Sequence, residues 1–292
     1  MSETKNRFLL ITYQTEKSIT SAILPVVLIS YIVGILYSNL DTLLVLFPSG
    51  EGEYSFQLLE GIIMVSIAVG SGFLIVFALK KHLIIILKSF FALSFFLSSV
   101  CMFWVHGYLL EVTFLENVFW VEIITAVIGG IIGCLAILSF IVGKGGINTK
   151  NTIIFILGVA MGTIFGMVFS FVTFITLIVL ISLFDIYSVF RGPINQIFKR
   201  TNFSISSESQ AEMKQSVAVG IGDFIFYSSL VTFITKELNP ILGFVSIIGI
   251  LVGIKITENM LFRYGKFPGL PIPIFLSLLL VLIGWLITTY IL

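Results

Sequence analysis

Two aspartates, Asp185 and Asp223, lie inside long apolar runs away from the ends where polar groups reach water. An ionisable side chain in hydrocarbon costs about 2.5–3.5 kcal/mol on insertion scales, so each calls for a functional or structural reason. Two carboxyls brought together where the dielectric is low cannot both ionise readily and share one proton over a wide pH range. Such a pair suits peptide hydrolysis: the carboxylate takes a proton from water while its protonated partner polarises the scissile carbonyl and later helps protonate the leaving amine. The same carboxyls could carry a proton or cation in a transporter. They could also simply hydrogen-bond two helices together. Position alone leaves all three readings open.

Meeting at all requires the two carboxyls to lie at similar depth. Asp185 is six residues before Arg191, about 9 Å along a helix, and Asp223 is nine residues after Lys214, about 13 Å. If the two helices are consecutive and antiparallel, the side chains can face each other.

The composition supplies such helices. Of 292 residues 58% are hydrophobic, only 11% are charged, and the mean hydropathy is +1.14. Soluble domains carry roughly 25% charged residues, so this chain is expected to be an all-α polytopic membrane protein. The net charge of +1 gives no bias toward nucleic acid. A hydrocarbon core of about 30 Å needs roughly 20 apolar residues. Spans are expected at 20–38, 58–79, 83–107, 118–142, 152–169, 171–190, 215–235, 239–256 and 271–292, with the over-long Thr152–Phe190 run split near Ser170. That gives nine spans in one membrane-embedded domain, 1–292. Fifteen of the sixteen Lys and Arg residues then fall on one side, thirteen of them in alternate loops, which puts the N-terminus in the cytoplasm and the C-terminus outside. Lys88 and Lys255 are expected to snorkel toward the basic side. Residues 191–214 read as a mobile cytoplasmic loop.

The local sequences narrow the chemistry. Asp223 ends Gly220-Ile221-Gly222-Asp223, Asp185 lies in Phe184-Asp185-Ile186-Tyr187, and the last span opens with Pro268-Gly269-Leu270-Pro271-Ile272-Pro273. This triple resembles the presenilin and signal peptide peptidase family of intramembrane aspartyl proteases, with its Tyr-Asp, Gly-x-Gly-Asp and Pro-Ala-Leu motifs on the sixth, seventh and ninth spans. The resemblance implies a presenilin-like fold, Asp185 and Asp223 as the catalytic dyad, and Pro268 to Pro271 as a segment that borders the site and engages substrate. It implies cleavage of transmembrane segments or signal peptides in the cell membrane, without cofactor or metal. A proton- or cation-coupled transporter using the same aspartates is the alternative. Prepilin peptidases share GxGD but lack the Pro-rich last span. Phe184 departs from the family Tyr and removes a hydroxyl; Gly269 departs from the family Ala. The direction of the sixth and seventh spans is that of presenilins. The compact loops are those of a prokaryotic, archaeal-type member, for which neither self-cleavage nor accessory subunits are expected. Homo-oligomerisation stays open.

Gly220 and Gly222 would let another backbone approach Asp223, and the prolines would leave carbonyls free to hold an extended substrate. Gly129/Gly133, Gly158/Gly162/Gly166 and Gly249/Gly253 repeat at four-residue spacing and should bring helix backbones together. Cys101 and Cys134, without CxxC spacing, are expected among apolar side chains. His82 and His106 are expected near the interfaces. No HExxH or nucleotide loop occurs.

Overall fold

A computed structural model of the chain describes residues 12–15, 18–38, 54–81, 83–115, 118, 120–191, 217–264 and 267–290. Within them the order is β1 (Thr12–Thr15), α1 (Ile19–Leu36), α2 (Tyr54–Lys80), α3 (Ile84–Leu110), α4 (Trp120–Ala136), α5 (Ile147–Val168), α6 (Phe171–Phe190), β2 (Val217–Gly220), α7 (Ile221–Glu237), α8 (Pro240–Tyr264) and α9 (Pro271–Tyr290). Wider π-helical turns extend α3 over Glu111–Leu115 and α4 over Ile137–Ile141. Eight of these helical segments are long and apolar enough to cross a membrane. The chain is a polytopic membrane protein, whose described residues are helical apart from two short strands and the connecting turns. The expected loop 191–214 lies outside the described residues beyond Arg191.

The helix starts have local causes. Asn239 accepts the Leu242 amide through Oδ1 at 2.7 Å, and Pro240 takes the first position of α8, where no amide hydrogen is needed. Pro271 likewise takes the first position of α9, and the Ile274 amide donates to the Leu270 backbone carbonyl. The Thr152–Phe190 run breaks at Phe169 and Ser170, both extended, and Ser170 Oγ donates to Thr173 Oγ1 at 2.8 Å.

At the centre stands α7, packed against α1, α5 and α8. Phe224, Leu230, Val231 and Phe233 are fully buried on it. Apolar burial gives helices no advantage over lipid, so close packing and hydrogen bonds must hold them. The glycine repeats provide the first. A Cβ at Gly158, Gly162 or Gly166 of α5 would overlap Phe224, Ile225 and Ser228, or Ser229 and Phe233 of α7. Gly249 and Gly253 press α8 on Ser277 and Pro273 of α9, and Gly129 and Gly133 press α4 on α3. Hydroxyls provide the second: the Ser30 and Ser228 hydroxyls meet at 2.6 Å, Thr232 Oγ1 donates to the Ser30 carbonyl at 3.1 Å, and the Ser246 and Ser277 hydroxyls meet at 2.9 Å. Each such bond contributes about 0.6 kcal/mol in a membrane. Outward, Leu74, Ile85, Ile124 and Leu282 are exposed, as are Cys101 and Cys134.

Three expectations need correction. The seventh helix starts at Ile221 rather than 215, because Val217–Gly220 form a strand antiparallel to β1, with Thr12 opposite Gly220 and Thr15 opposite Val217. The eighth continues to Tyr264 and carries Glu258, a further buried acid, while Lys255 reaches Glu258 at 3.0 Å instead of only snorkelling. His106 is turned inward, with Nε2 at 3.2 Å from both the Ala160 carbonyl and Thr163 Oγ1. His82 lies outside the described residues.

Candidate active site

The rings of Phe174 on α6 and Phe233 on α7 stack with centroids 4.1 Å apart, which sets the register of two antiparallel helices. From that contact α6 runs eleven residues to Asp185 and α7 runs back ten to Asp223, distances of about 16 Å and about 15 Å. Counted from that contact, the two carboxyls lie at a similar level.

Their places in the helices differ. Asp185 lies near the C-terminal end of α6, six residues before Arg191. Asp223 is the third residue of α7, and its Oδ2 accepts the Gly220 amide at 3.3 Å across the first turn. This is a capping-box arrangement, in which the side chain reaches back to an amide the helix leaves unpaired. The strand β2 thus leads directly into the turn that presents Asp223.

Between the carboxyls runs the segment that opens α9. The Leu270 amide donates to Asp185 Oδ2 at 3.1 Å. On the other side a Cβ at Gly269 would sit 3.0 and 3.1 Å from the two carboxyl oxygens of Asp223. Pro268, Leu270 and Pro271 are buried, which anchors the segment. The four residues Asp185, Asp223, Gly269 and Leu270 therefore meet at one point. Of the carbonyls expected to be free, that of Gly269 accepts from Tyr227 Oη at 2.8 Å and that of Leu270 from the Ile274 amide at 3.1 Å. They are already engaged within the chain.

The glycines before Asp223 act differently from the expected close packing. A Cβ at Gly222 would meet nothing within 4 Å, and one at Gly220 only Asp223 Oδ2 at 3.8 Å and the Gly222 nitrogen at 3.9 Å. They leave room beside the carboxyl rather than admitting a neighbouring helix. Phe184, where a hydroxyl was absent, packs on the Tyr187 ring at 6.1 Å between centroids.

Tyr227 escaped the sequence reading. The signal was present: four residues after Asp223, it lies one helical turn away on the same face.

Residues 198–291 match the Presenilin family model. The Presenilin match covers about a third of the chain and contains Gly220, Gly222, Asp223, Tyr227 and the whole Pro268–Pro271 segment. Asp185 lies upstream of it, so its membership of the site rests on its contact with Leu270. No curated protein matches the chain.

Proposed function

We propose that the chain is a presenilin-like intramembrane aspartyl protease of the GxGD type, with Asp185 and Asp223 as its catalytic dyad. The observation that carries this is the placement of two carboxyls, from the end of α6 and the start of α7, against the same Gly269–Leu270 peptide. The Presenilin match supports it independently over the half of the site that lies on α7 and α9. Nothing in the match favours an ion-coupled transporter.

In the proposed reaction a water held between the carboxyls loses a proton to the ionised one as its oxygen bonds to the scissile carbon. The protonated partner donates to the carbonyl oxygen, giving a neutral tetrahedral intermediate. Collapse of that intermediate breaks the C–N bond as the amine takes a proton from one carboxyl while a hydroxyl of the diol gives its proton to the other, so the dyad again holds one proton. The proton belongs to the pair rather than to a named member.

A membrane-spanning substrate must first unwind, because its scissile amide is hydrogen-bonded within its helix and its freed groups need new partners. Among the described residues β2 pairs only with β1, so the other edge of β2 is the proposed place for an extended segment to pair as it reaches Asp223. The open space at Gly222 leaves room for its side chains. The substrates proposed are transmembrane segments and signal peptides, cleaved in the cell membrane without accessory subunits. The topology proposed is nine crossings with a cytoplasmic N-terminus.

Purified protein reconstituted with a model single-span peptide should generate new termini detectable by mass spectrometry. Asp185→Ala and Asp223→Ala should each abolish them, and full proteolysis by either variant would overturn the dyad. Ion flux in proteoliposomes without new termini would overturn the protease reading. Cleavage should follow a bell-shaped pH profile, since the pair works only with one proton between its members; a rate flat from pH 4 to about pH 9 would speak against it.

A further inference from the structure

We propose that Tyr227 is a positioning residue of the dyad, acting on Asp185 through the single peptide group that joins Gly269 to Leu270. The inference rests on the proteolytic reading above and adds a residue to it.

The carbonyl of that peptide accepts from Tyr227 Oη at 2.8 Å, and its amide donates to Asp185 Oδ2 at 3.1 Å. Both bonds are made by the two ends of one planar unit. Holding the oxygen therefore aims the N–H. The amide is free for this task because Leu270 precedes the first turn of α9, where backbone donors have no partner within the helix. Hydrogen bonds in series also polarise one another, so a phenol on the oxygen makes the amide a stronger donor to the carboxyl. Without the phenol the peptide could tilt between its flanking residues, and the amide would leave Asp185.

The surroundings favour a phenylalanine unless the hydroxyl has work to do. Tyr227 is 2% exposed and belongs to the same apolar cluster as Phe224 and Phe233. A buried phenol needs a partner, and here the Gly269 carbonyl is that partner. The spacing adds a second link. Asp223 and Tyr227 are one turn apart on α7, so the helix that presents one carboxyl also sets, through α9, the amide that holds the other. Gly269 completes the arrangement, since a Cβ there would stand 3.0 Å from Asp223 Oδ1 and crowd the carboxyl.

The test is Tyr227→Phe in the full-length, reconstituted chain, assayed on the model single-span peptide, with Ser228→Ala as the control. Ser228 is the next residue on the same helix and equally buried, but its hydroxyl bonds to Ser30, away from the loop. For Tyr227→Phe we expect kcat to fall about tenfold or more while KM stays within about twofold, the pattern of an interaction that matters in the chemical step. Amide exchange of the peptide carrying Leu270 should accelerate. Ser228→Ala should keep kcat within about twofold of wild type. The inference is overturned if Tyr227→Phe keeps full kcat, if its loss appears wholly as raised KM, or if Ser228→Ala loses as much. Cleavage by wild type and Tyr227→Phe alike overturns only this inference; absence of cleavage by the wild type overturns the protease reading and this inference together.

Discussion

Glu258 stands about 9 Å from the end of α8, and Asp185 about 8 Å from the end of α6. Depth does not separate the two acids; their neighbours do. Glu258 accepts from Ser18 Oγ at 3.0 Å, from the Ile19 amide at 3.2 Å and from Lys255 Nζ at 3.0 Å, so its charge is compensated and it anchors the start of α1. Asp185 and Asp223 each accept a backbone amide and lie against the Gly269–Leu270 peptide, and in the proposed dyad they stand beside each other. A carboxyl that is compensated serves stability, whereas a carboxyl left beside another carboxyl is kept against stability. Glu258→Ala is accordingly expected to lower the thermal unfolding temperature in detergent, since each buried donor left unpaired costs about 1–3 kcal/mol. Asp223→Asn is expected to leave that temperature unchanged or higher while cleavage is lost. A second expectation concerns Gly222. Phenylalanine there would fill the open space beside Asp223 and reduce kcat/KM for the model peptide by about tenfold or more, whereas alanine would cost under about threefold. The rarity of charge made the two aspartates visible in the sequence. The partners of Glu258 were not, because Ser18 and Ile19 lie some 240 residues away and nothing local announces them.

At the scale of elements, the repeat Gly158/Gly162/Gly166 holds α5 against α7, which in turn carries Asp223 and Tyr227. A Cβ on Gly162 would stand 2.5 Å from the Ile225 carbonyl oxygen and 2.5 Å from Ser228 Cβ. A backbone atom cannot rotate aside, so the helices must separate. Gly162→Ala should therefore cost about 1–3 kcal/mol in stability, as overpacking does, and should also reduce cleavage. Gly70→Ala on α2, where a Cβ would meet nothing within 4 Å, should do neither; unfolding and cleavage measured side by side decide the matter. The four-residue spacing made these seams legible, and length alone showed that residues 152–190 could not be one span. The start of α7 was not legible. Val217, Ala218 and Val219 are apolar enough to read as the beginning of a span, and the strand partner that draws them out of the helix lies at residues 12–15. Nor could spacing reveal that the Gly269 and Leu270 carbonyls are taken up by α7 and by α9 itself.

For the molecule as a whole, the proposed orientation predicts which ends share a side. With Cys101 and Cys134 replaced, single cysteines at Lys144 and Arg191 should react with a membrane-impermeant thiol reagent from one side of sealed vesicles, and a cysteine at Glu237 from the other. Labelling of all three from the same side would refute the alternation of basic loops. Structural dependence within the fold also runs from one end of the chain to the other. The Glu258 that receives the amide at the start of α1 is made about 240 residues later, and the Ser228 that meets Ser30 is made 198 residues later. At synthesis rates of about 5–20 residues per second, the first helix waits roughly 12 to 50 s for its clamp. During that interval α1 has only α5 among its principal helix neighbours to pack against, and the wall it forms around α7 does not exist. Assembly of the interior is thus deferred until the C-terminal helices emerge, the same helices that bring Asp223 and the Gly269–Leu270 segment. A chain interrupted before them would hold Asp185 in the membrane without Asp223 or the Leu270 amide beside it, so the proposed site cannot form until those helices have been made.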